Sequence, residues 1–279
     1  MNSKTLNAKI EIIRPVNVAI VFVTIAIAGV LAKPAGWDWA WVFVASIAGA
    51  LIAGGGNAIN DIFDVKIDKI NRPDRPLPRG ALSLEQARKL WIYTSATGLI
   101  LSLFLGFWNV LIALVWVGGL YAYSRSLKGT VLVGNVTVAF LTALAFPFGA
   151  ILAGRADLGL YPGIFAFLAN LARELLKDVE DVDGDATANA ETLPVKHGPE
   201  AGLQAASIVI GLLMLATLIP FVAGIYDLRY LLVMLFVNLG LAYVVVSMWY
   251  DPTLSNLKRL SLILKACMVG GLFAIFAGS

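Results

Sequence analysis

Two acidic blocks interrupt an otherwise apolar chain, and both have the spacing of one helix face. The first runs from Asn60 to Asp68 and the second from Asp178 to Asp185. Because residues three or four positions apart share a helix face, the oxygen-bearing side chains of each block form one stripe. The first stripe contains Asn57, Asn60, Asp61, Asp64 and Asp68, and the second contains Glu174, Asp178, Asp181 and Asp185. Gly54–Gly56 precede the first stripe and would let neighbouring helices approach closely or let the helix bend.

These oxygen atoms suit a hard cation. Mg²⁺ usually binds one or two protein carboxylates and completes its octahedron with water and phosphate oxygens. Each stripe also lies towards the C-terminal end of its predicted helix, where the macrodipole disfavours negative charge. We therefore predict a diphosphate site with Mg²⁺, whose ligands come from Asn60, Asp61, Asp64, Asp68, Glu174, Asp178, Asp181 and Asp185. The alternative is a pair of solvated helix ends capped by Lys and Arg, and it applies best to Glu180 and Asp183, which lie off the stripe.

A loop rich in proline and arginine follows the first block, between Asn71 and Gly80. Its three prolines restrict the backbone, so we expect an extended and rigid segment that presents its three arginines. Because arginine suits bidentate contact with phosphate oxygens, we predict that Arg72 and Arg75 clamp the diphosphate. The other candidates for substrate binding are Asn60, Lys128, Lys177, Arg14, Tyr121 and Arg173.

Several candidates also have simpler interpretations. Anchoring at the membrane surface would account for the loop arginines and for Arg14. A salt bridge to Glu174 or Asp178 would account for Arg173 and Lys177. Core packing would account for the aromatic residues, whose ring faces could otherwise line the site and stabilise a carbocation: Phe63, Tyr121, Tyr123, Phe146, Phe148 and Phe167.

The composition is that of an integral membrane protein. Of the 279 residues, 59% are hydrophobic and 14% are charged, and the mean hydropathy is +0.83, far outside the range of soluble domains. Apolar runs of about 20 residues can cross a bilayer, and nine of them occur near 16–32, 39–60, 91–107, 109–124, 131–153, 159–177, 201–223, 228–249 and 260–278. We expect one all-α, membrane-embedded domain over residues 1–279, with the first run as a retained helix rather than a signal peptide.

The positive charges predict how the protein is oriented. Three of the 21 Lys and Arg residues (Lys33, Arg155 and Arg229) fall on one side of the predicted spans, and the other 18 fall on the opposite side. By the positive-inside rule, the N-terminus and both acidic blocks face the cytoplasm, and the C-terminus lies outside the cell membrane. Membrane lipids explain the net charge of +3, and no feature indicates nucleic-acid binding. We expect His197 in a solvated loop and Cys267 in the core.

A repeated pattern relates the two acidic blocks. The second and sixth predicted spans each run into an acidic stripe and then into a polar loop. This arrangement suggests two related halves packed around one central cavity, as in other membrane proteins built from repeats.

The motifs resemble those of a known family. Asn60-x₃-Asp64-x₃-Asp68 with the following Asn-Arg-Pro-Asp-Arg-Pro loop, and Asp181-x₃-Asp185, are similar to the two signature motifs of the UbiA superfamily of intramembrane prenyltransferases. The resemblance covers nearly the whole chain. It implies nine helices around a central cavity in which Mg²⁺ holds a polyprenyl diphosphate donor, with the prenyl tail in a tunnel open to lipid. It also implies that the catalytic residues are Asp64, Asp68, Asp181 and Asp185.

Within this superfamily, the second block indicates the acceptor. The run Arg173–Asp185, with Thr192–Pro194 after it, is similar to the archaeal-type digeranylgeranylglyceryl phosphate synthases. That resemblance implies transfer of a geranylgeranyl group to the glycerol hydroxyl of geranylgeranylglyceryl phosphate, a lipid-like acceptor that carries a phosphate. Quinone-type members have Tyr-Ala where this chain has Lys177-Asp178. The alternatives are an aromatic prenyltransferase of quinone, chlorophyll or haem biosynthesis, and a membrane transporter.

Overall fold

The regular structure of this protein is helical. The computed structural model describes residues 3–32, 39–187 and 190–278, and no strand occurs among them; Lys33, used above for orientation, lies outside the described residues. The helices are α1 (Ser3–Ile12), α2 (Pro15–Leu31), α3 (Trp39–Asn71), α4 (Leu84–Leu103), α5 (Phe107–Ala122), α6 (Val133–Ala143), α7 (Ala145–Ala150), α8 (Ala156–Glu180), α9 (Val182–Thr187), α10 (Leu193–His197), α11 (Pro199–Ala216), α12 (Ile219–Val222), α13 (Leu228–Tyr250) and α14 (Leu254–Gly278). A π-helical turn over Tyr123–Leu127 follows α5.

Helices long and apolar enough to cross a membrane are fewer than the sequence predicts. Six qualify among the described residues: Trp39–Ile70, Phe107–Leu127, Val133–Ala153, Pro199–Val222, Leu228–Tyr250 and Leu254–Gly278. A seventh is the pair Thr5–Ile12 and Pro15–Leu31, if the 50° bend between them lies within one span. The predicted spans near 91–107 and 159–177 coincide with α4 and α8, which do not pass the same test. The described residues therefore form a multi-pass, all-α membrane protein, and the count of nine is not confirmed.

Two compact units divide the chain. The first comprises Met1–Lys128 and Leu144–Leu160, and the second comprises Gly129–Ala143 and Tyr161–Ser279. The first acidic block belongs to the first unit and the second block to the second unit. Because the chain enters each unit twice, no single cut along the sequence separates them, and the single domain over residues 1–279 stays a prediction.

Glycines bring the neighbours of α3 close to the first acidic block. A Cβ added at Gly55 would lie 2.7 Å from the hydroxyl oxygens of Thr94 and Ser95 on α4, and a Cβ at Gly56 would lie 2.6 Å from Leu120 on α5. The helix runs without a break from Trp39 to Asn71. Close approach, rather than a bend, is therefore what Gly55 and Gly56 provide.

The loop between α3 and α4 is compact, and the prediction of an extended segment was wrong. Its backbone amides bond back over three or four residues, from Arg75 to the carbonyl of Arg72 and from Arg79 to that of Arg75, both at 3.1 Å. Proline fixes φ near −65°, which suits such turns as well as an extended chain. The loop adopts turns rather than an extended chain because Leu77 and Leu82 are both buried in an apolar cluster with residues of α1.

A left-handed residue separates α1 from α2. Arg14 has a φ of 55°, a conformation that is uncommon for residues other than glycine. The Asn57 amide on α3 donates a hydrogen bond to the Ile13 carbonyl at 2.8 Å. This bond fixes the backbone next to Arg14, so α3 holds the break in place.

We predict that Gly98→Ala destabilises the protein. A Cβ at Gly98 on α4 would lie 2.8 Å from the Ala48 backbone carbonyl on α3 and 2.6 Å from Ile52, and backbone cannot yield as a side chain can. The expected loss is about 1–3 kcal/mol, as for other overpacked cores, measured by thermal unfolding in detergent. Gly118→Ala on α5 is the matched control, because no atom of a described residue comes within 4 Å of a Cβ added there. Equal unfolding temperatures of the two variants would contradict this packing.

Candidate active site

Two arginines neutralise the buried carboxylates of the first block. Asp61 and Asp68 on α3 are 4% and 5% exposed. Asp61 Oδ1 accepts hydrogen bonds from Arg14 Nη2 at 2.6 Å and from Arg75 Nη1 at 3.3 Å. Arg75 Nη1 also donates to Asp68 Oδ2 at 2.5 Å. Arg75 thus bridges two acids that lie two turns apart, and the α3–α4 loop and the α1–α2 break both bring a cation to α3.

The third acid of this block has a lysine partner. Asp64 Oδ2 forms an ion pair with Lys128 and accepts a hydrogen bond from the Asn60 amide at 2.9 Å. Lys128 follows the π-helical turn at the end of α5, and its backbone amide donates to the Tyr123 carbonyl at 2.9 Å. Predicted donors and acids of the first block are therefore brought together in one unit: Asn60, Asp61, Asp64, Asp68, Arg14, Arg75 and Lys128.

The other two arginines of the loop differ from Arg75. Arg72 is exposed and makes no ion pair in the part of the chain that the structure describes. Arg79 forms hydrogen bonds to both carboxylate oxygens of Glu11 at 3.0 and 2.6 Å, and this partner raises the pKa of the guanidinium above its usual value. Arg79 therefore fastens the loop to α1, while Arg72 is available for a ligand.

An aromatic cluster adjoins the first block. Tyr121 on α5 packs edge-on against Phe63 with ring centroids 5.7 Å apart, and it stacks on Trp91 at 5.8 Å. Phe63 precedes Asp64 directly and is 40% exposed. Phe148, by contrast, is fully buried against Trp116, so core packing is its role. Trp91 is a member of the cluster that sequence reasoning missed.

The second block spans the end of one helix and the start of another. α8 ends at Glu180, Asp181 lies in the turn, and Asp185 lies on α9. The helical hydrogen-bond pattern nevertheless continues, because the Asp181 amide donates to the Lys177 carbonyl and the Asp185 amide to the Asp181 carbonyl, both at 2.9 Å. The i, i+4 spacing of the predicted stripe therefore survives the break between the helices.

The remaining members of this block have partners in the second unit. Glu174 accepts from Arg173 Nη1 at 2.8 Å and lies 3.6 Å from Lys177 Nζ, so the predicted salt bridges of both cations are present. Asp178 instead accepts a hydrogen bond from the Asn135 amide on α6 at 2.9 Å. Asn135 was not among the predicted site residues. Its one sequence signal is a polar side chain inside the apolar run 131–153.

The carboxylates of the two acidic blocks suit a cation that also binds oxygen atoms of water or of a substrate. No three His, Cys, Asp or Glu side chains among the described residues are grouped so that they could hold a metal ion by themselves. Asp64 and Asp68 are one turn apart, and each has a cation as its present partner. Mg²⁺ usually binds through one or two carboxylates together with water and substrate phosphates, so the first block suits Mg²⁺ bound to a diphosphate.

A family model matches most of the chain. The model of the UbiA prenyltransferase family aligns with residues 21–266, which include both acidic blocks and the α3–α4 loop. The chain belongs to the UbiA prenyltransferase family. Membership agrees with the predicted motifs, and it makes the chain a prenyltransferase by family.

Relatives within the UbiA family share a narrower name. The digeranylgeranylglyceryl phosphate synthase of Methanopyrus kandleri is 38% identical over 82% of this chain and 84% of its own length. The same-named protein of Methanothermobacter thermautotrophicus is 34% identical over 98% and 96%. A solved structure of a digeranylgeranylglyceryl phosphate synthase matches with a TM-score of 0.84 at 28% identity over 98% of both chains. A UbiA homologue of Archaeoglobus fulgidus bound to GPP and Mg²⁺ has the same fold, with a TM-score of 0.74 at 17% identity over 96% of this chain and 99% of that chain.

We predict that Asp61→Asn destabilises the first unit. The amide keeps the size of the side chain but removes the charge that Arg14 and Arg75 share. The expected loss is about 1.5–3 kcal/mol, the range for a hydrogen bond to a charged group, measured by thermal unfolding in detergent. Asp157→Asn is the matched control, because its ion pair with Arg155 is exposed and exposed pairs contribute little. A midpoint for Asp61→Asn no lower than that of the control would show that this network does not stabilise the fold.

Proposed function

We propose that this protein transfers a geranylgeranyl group from geranylgeranyl diphosphate to the glycerol hydroxyl of geranylgeranylglyceryl phosphate. The observation that carries the proposal is the arrangement of the first block, in which each carboxylate of a buried acidic stripe has a cation within ion-pair distance. The shared name of relatives that align over most of both chains supports the choice of acceptor. The proposed product is an ether lipid precursor.

The proposed Mg²⁺ ligands are Asp64 and Asp68 in the first block and Asp181 and Asp185 in the second block. Asn60 donates to Asp64, and Asp61 shares Arg75 with Asp68. Glu174 and Asp178 lie earlier on the second stripe, and the proposal is that they support Asp181 and Asp185 from there. When bound, Mg²⁺ supplies positive charge that stabilises the negative charge developing on the leaving diphosphate.

Cations of the first unit bind the same leaving group. Arg75 and Lys128 have carboxylates as present partners, and both side chains would be available to phosphate oxygens if those carboxylates held Mg²⁺. Arg72 is exposed on the same loop as Arg75. Preorganised cations aimed at developing charge usually make the largest contribution to such catalysis. The role proposed for these residues is therefore to hold the diphosphate and to lower the barrier to its departure.

The reaction exchanges one carbon–oxygen bond for another. The bond between the prenyl carbon and the diphosphate oxygen breaks, and the diphosphate leaves with the electron pair. The glycerol oxygen forms the ether bond to the same carbon and loses its proton. Phe63 precedes Asp64 in the chain and contacts Tyr121, which stacks on Trp91. The role proposed for these three rings is to exclude water and to stabilise positive charge on the prenyl group.

The membrane arrangement is also part of the proposal. We infer nine spans in the cell membrane, with α4 and α8 as the polar members, because both helices coincide with apolar runs of the sequence. The positive-inside rule places the N-terminus and the acidic blocks on the cytoplasmic side and the C-terminus outside. Water-soluble diphosphate then leaves towards the cytoplasm.

An acceptor assay tests this proposal. Purified protein receives geranylgeranyl diphosphate and Mg²⁺ together with either geranylgeranylglyceryl phosphate or 4-hydroxybenzoate, and the prenylated products are measured by mass spectrometry. We expect the diether phosphate and no prenylated benzoate. Asp64→Ala and Asp181→Ala should lower turnover about 10²- to 10³-fold, as for the removal of other major electrostatic groups. Asp183→Ala, off the stripe, is the control and should keep the wild-type rate. Prenylated benzoate as the main product, or full activity of both variants, would refute the proposed function.

We predict that Asn135→Ala weakens the response to Mg²⁺. Asn135 is the hydrogen-bond partner of Asp178, and removing the partner of a carboxylate that supports a metal site typically costs about 10- to 100-fold in metal affinity or activity. The measurement is the Mg²⁺ concentration that gives half-maximal turnover. Thr137→Ala on the same helix is the control, because among the described residues its hydroxyl bonds only the Val133 carbonyl of its own helix. An unchanged Mg²⁺ requirement in Asn135→Ala would remove Asn135 from the site.

A further inference from the structure

A lysine lies well inside the last candidate membrane span. Lys265 belongs to α14, which qualifies as a span over Leu254–Gly278. At 1.5 Å per residue it lies about 10 Å along the helix beyond Lys258. An ionisable side chain at such a depth is costly and usually marks a functional position. Sequence reasoning assigned no role to Lys265.

The face of α14 that carries Lys265 is turned towards charged residues of α8. Ser261, one turn earlier on α14, lies beside the Glu180 carboxylate. Both helices contribute these residues to the second unit. The charged side chains within electrostatic range of Lys265 are Arg173, Glu174, Lys177 and Glu180.

Cationic donors are left over in this cluster. Glu174 serves as the partner of both Arg173 and Lys177. The Nε atom of Arg173 is buried and has no hydrogen-bond partner in the part of the chain that the structure describes. Glu180 Oε1 in the same cluster is also buried without a hydrogen-bond partner among those residues. Lys265 is exposed and forms no ion pair or hydrogen bond with the described residues. Because a buried donor without a partner is costly, Arg173 would gain from an acceptor group, and Lys265 is open to the same ligand.

We propose that Arg173, Lys177 and Lys265 bind the phosphate of a glycerol phosphate lipid, and that Lys265 makes the enzyme specific for phosphorylated acceptors. This inference rests on the proposed function, since the ligand is the acceptor of that reaction. A phosphate monoester of about −1.5 to −2 charge has three strong acceptor oxygens, one for each of these three cations. The donor diphosphate has its own proposed cations in the first unit.

The two free donors also suit phosphate by type. The guanidinium of Arg173 offers a directional N–H from a helix whose neighbouring residues hold it in place, and arginine matches phosphate geometry. Lys265 adds a point charge from another helix, so that the phosphate would be held by cations of both α8 and α14. An uncharged acceptor would leave these donors without partners, which is how a site discriminates strongly against a ligand that lacks the group.

Equilibrium binding tests the site without turnover. Binding of geranylgeranylglyceryl phosphate, geranylgeranylglycerol and inorganic phosphate is measured in the absence of Mg²⁺ and donor. We expect Lys265→Met to raise the Kd for the phosphorylated lipid about 10- to 100-fold, the loss expected for one charge-assisted hydrogen bond, and to leave the Kd for geranylgeranylglycerol unchanged. Lys265→Arg keeps the charge and should retain most of the affinity.

A matched variant shows whether a loss of affinity comes from the contact made by Lys265 or from a general loss of positive charge. Arg259→Met removes one positive charge from the same helix at a position about 120° around its axis, and it should bind the phosphorylated lipid as the wild type does. An equal loss in Arg259→Met, or a loss in Lys265→Met that is the same for both lipids, would overturn the proposal. Inorganic phosphate that binds as tightly as the phosphorylated lipid would overturn the assignment to a lipid.

Turnover distinguishes this inference from the proposed function. If the wild type binds the phosphorylated lipid through Lys265 but forms no ether, the proposed reaction fails and the binding site stands. If Lys265→Met forms the ether with a wild-type KM for the acceptor, the binding site fails and the reaction stands. The KM for geranylgeranyl diphosphate should be the same in Lys265→Met and in the wild type.

Discussion

Neutralising buried carboxylates is the constraint on which the first unit depends. Asp61 and Asp68 are almost fully buried on one face of α3, and a buried charge is tolerated only with a partner. Both partners come from irregular segments, Arg14 from the α1–α2 break and Arg75 from the α3–α4 loop. The unusual backbone at Arg14, the amide of Asn57 that supports it and the compact loop can all be understood as means of bringing cations to these acids.

In the second unit, the partners of the acidic side chains lie on helices rather than on irregular segments. Glu174 has its two cations on its own helix, and Asp178 has an uncharged amide from α6 as its partner. This difference bears on mechanism. A cation on a loop can move from a carboxylate to another partner at little cost, which suits the binding of a group that departs. A cation fixed along a helix suits a ligand that must stay in one orientation. The first unit therefore suits the departing diphosphate, and the cationic cluster of α8 and α14 suits the acceptor.

Local spacing predicted the parts of the site that lie on one helix, and it could not predict partners distant in sequence. The stripe from Asn60 to Asp68 follows from helical periodicity alone, and the motif spacing led to the family. Asn135 lies 43 residues from Asp178, and no periodicity connects two such positions. The loop after α3 shows a different limit. Its prolines allowed both turns and an extended chain, and the burial of Leu77 and Leu82 selected the turns.

Charged residues of the candidate site also explain why fewer helices qualify as membrane spans than the sequence predicts. A prenyltransferase in a membrane must keep charged groups at the depth of its substrates, and each such group lowers the hydropathy of the helix that carries it. α8 bears Arg173, Glu174, Lys177 and Asp178 in its last turns, and it fails the test for a span that α13 passes. α14 passes although it contains Lys265, because the rest of that helix is apolar. A criterion based on hydropathy therefore passes over a helix with a charged end, and an isolated lysine in an apolar span is easily overlooked.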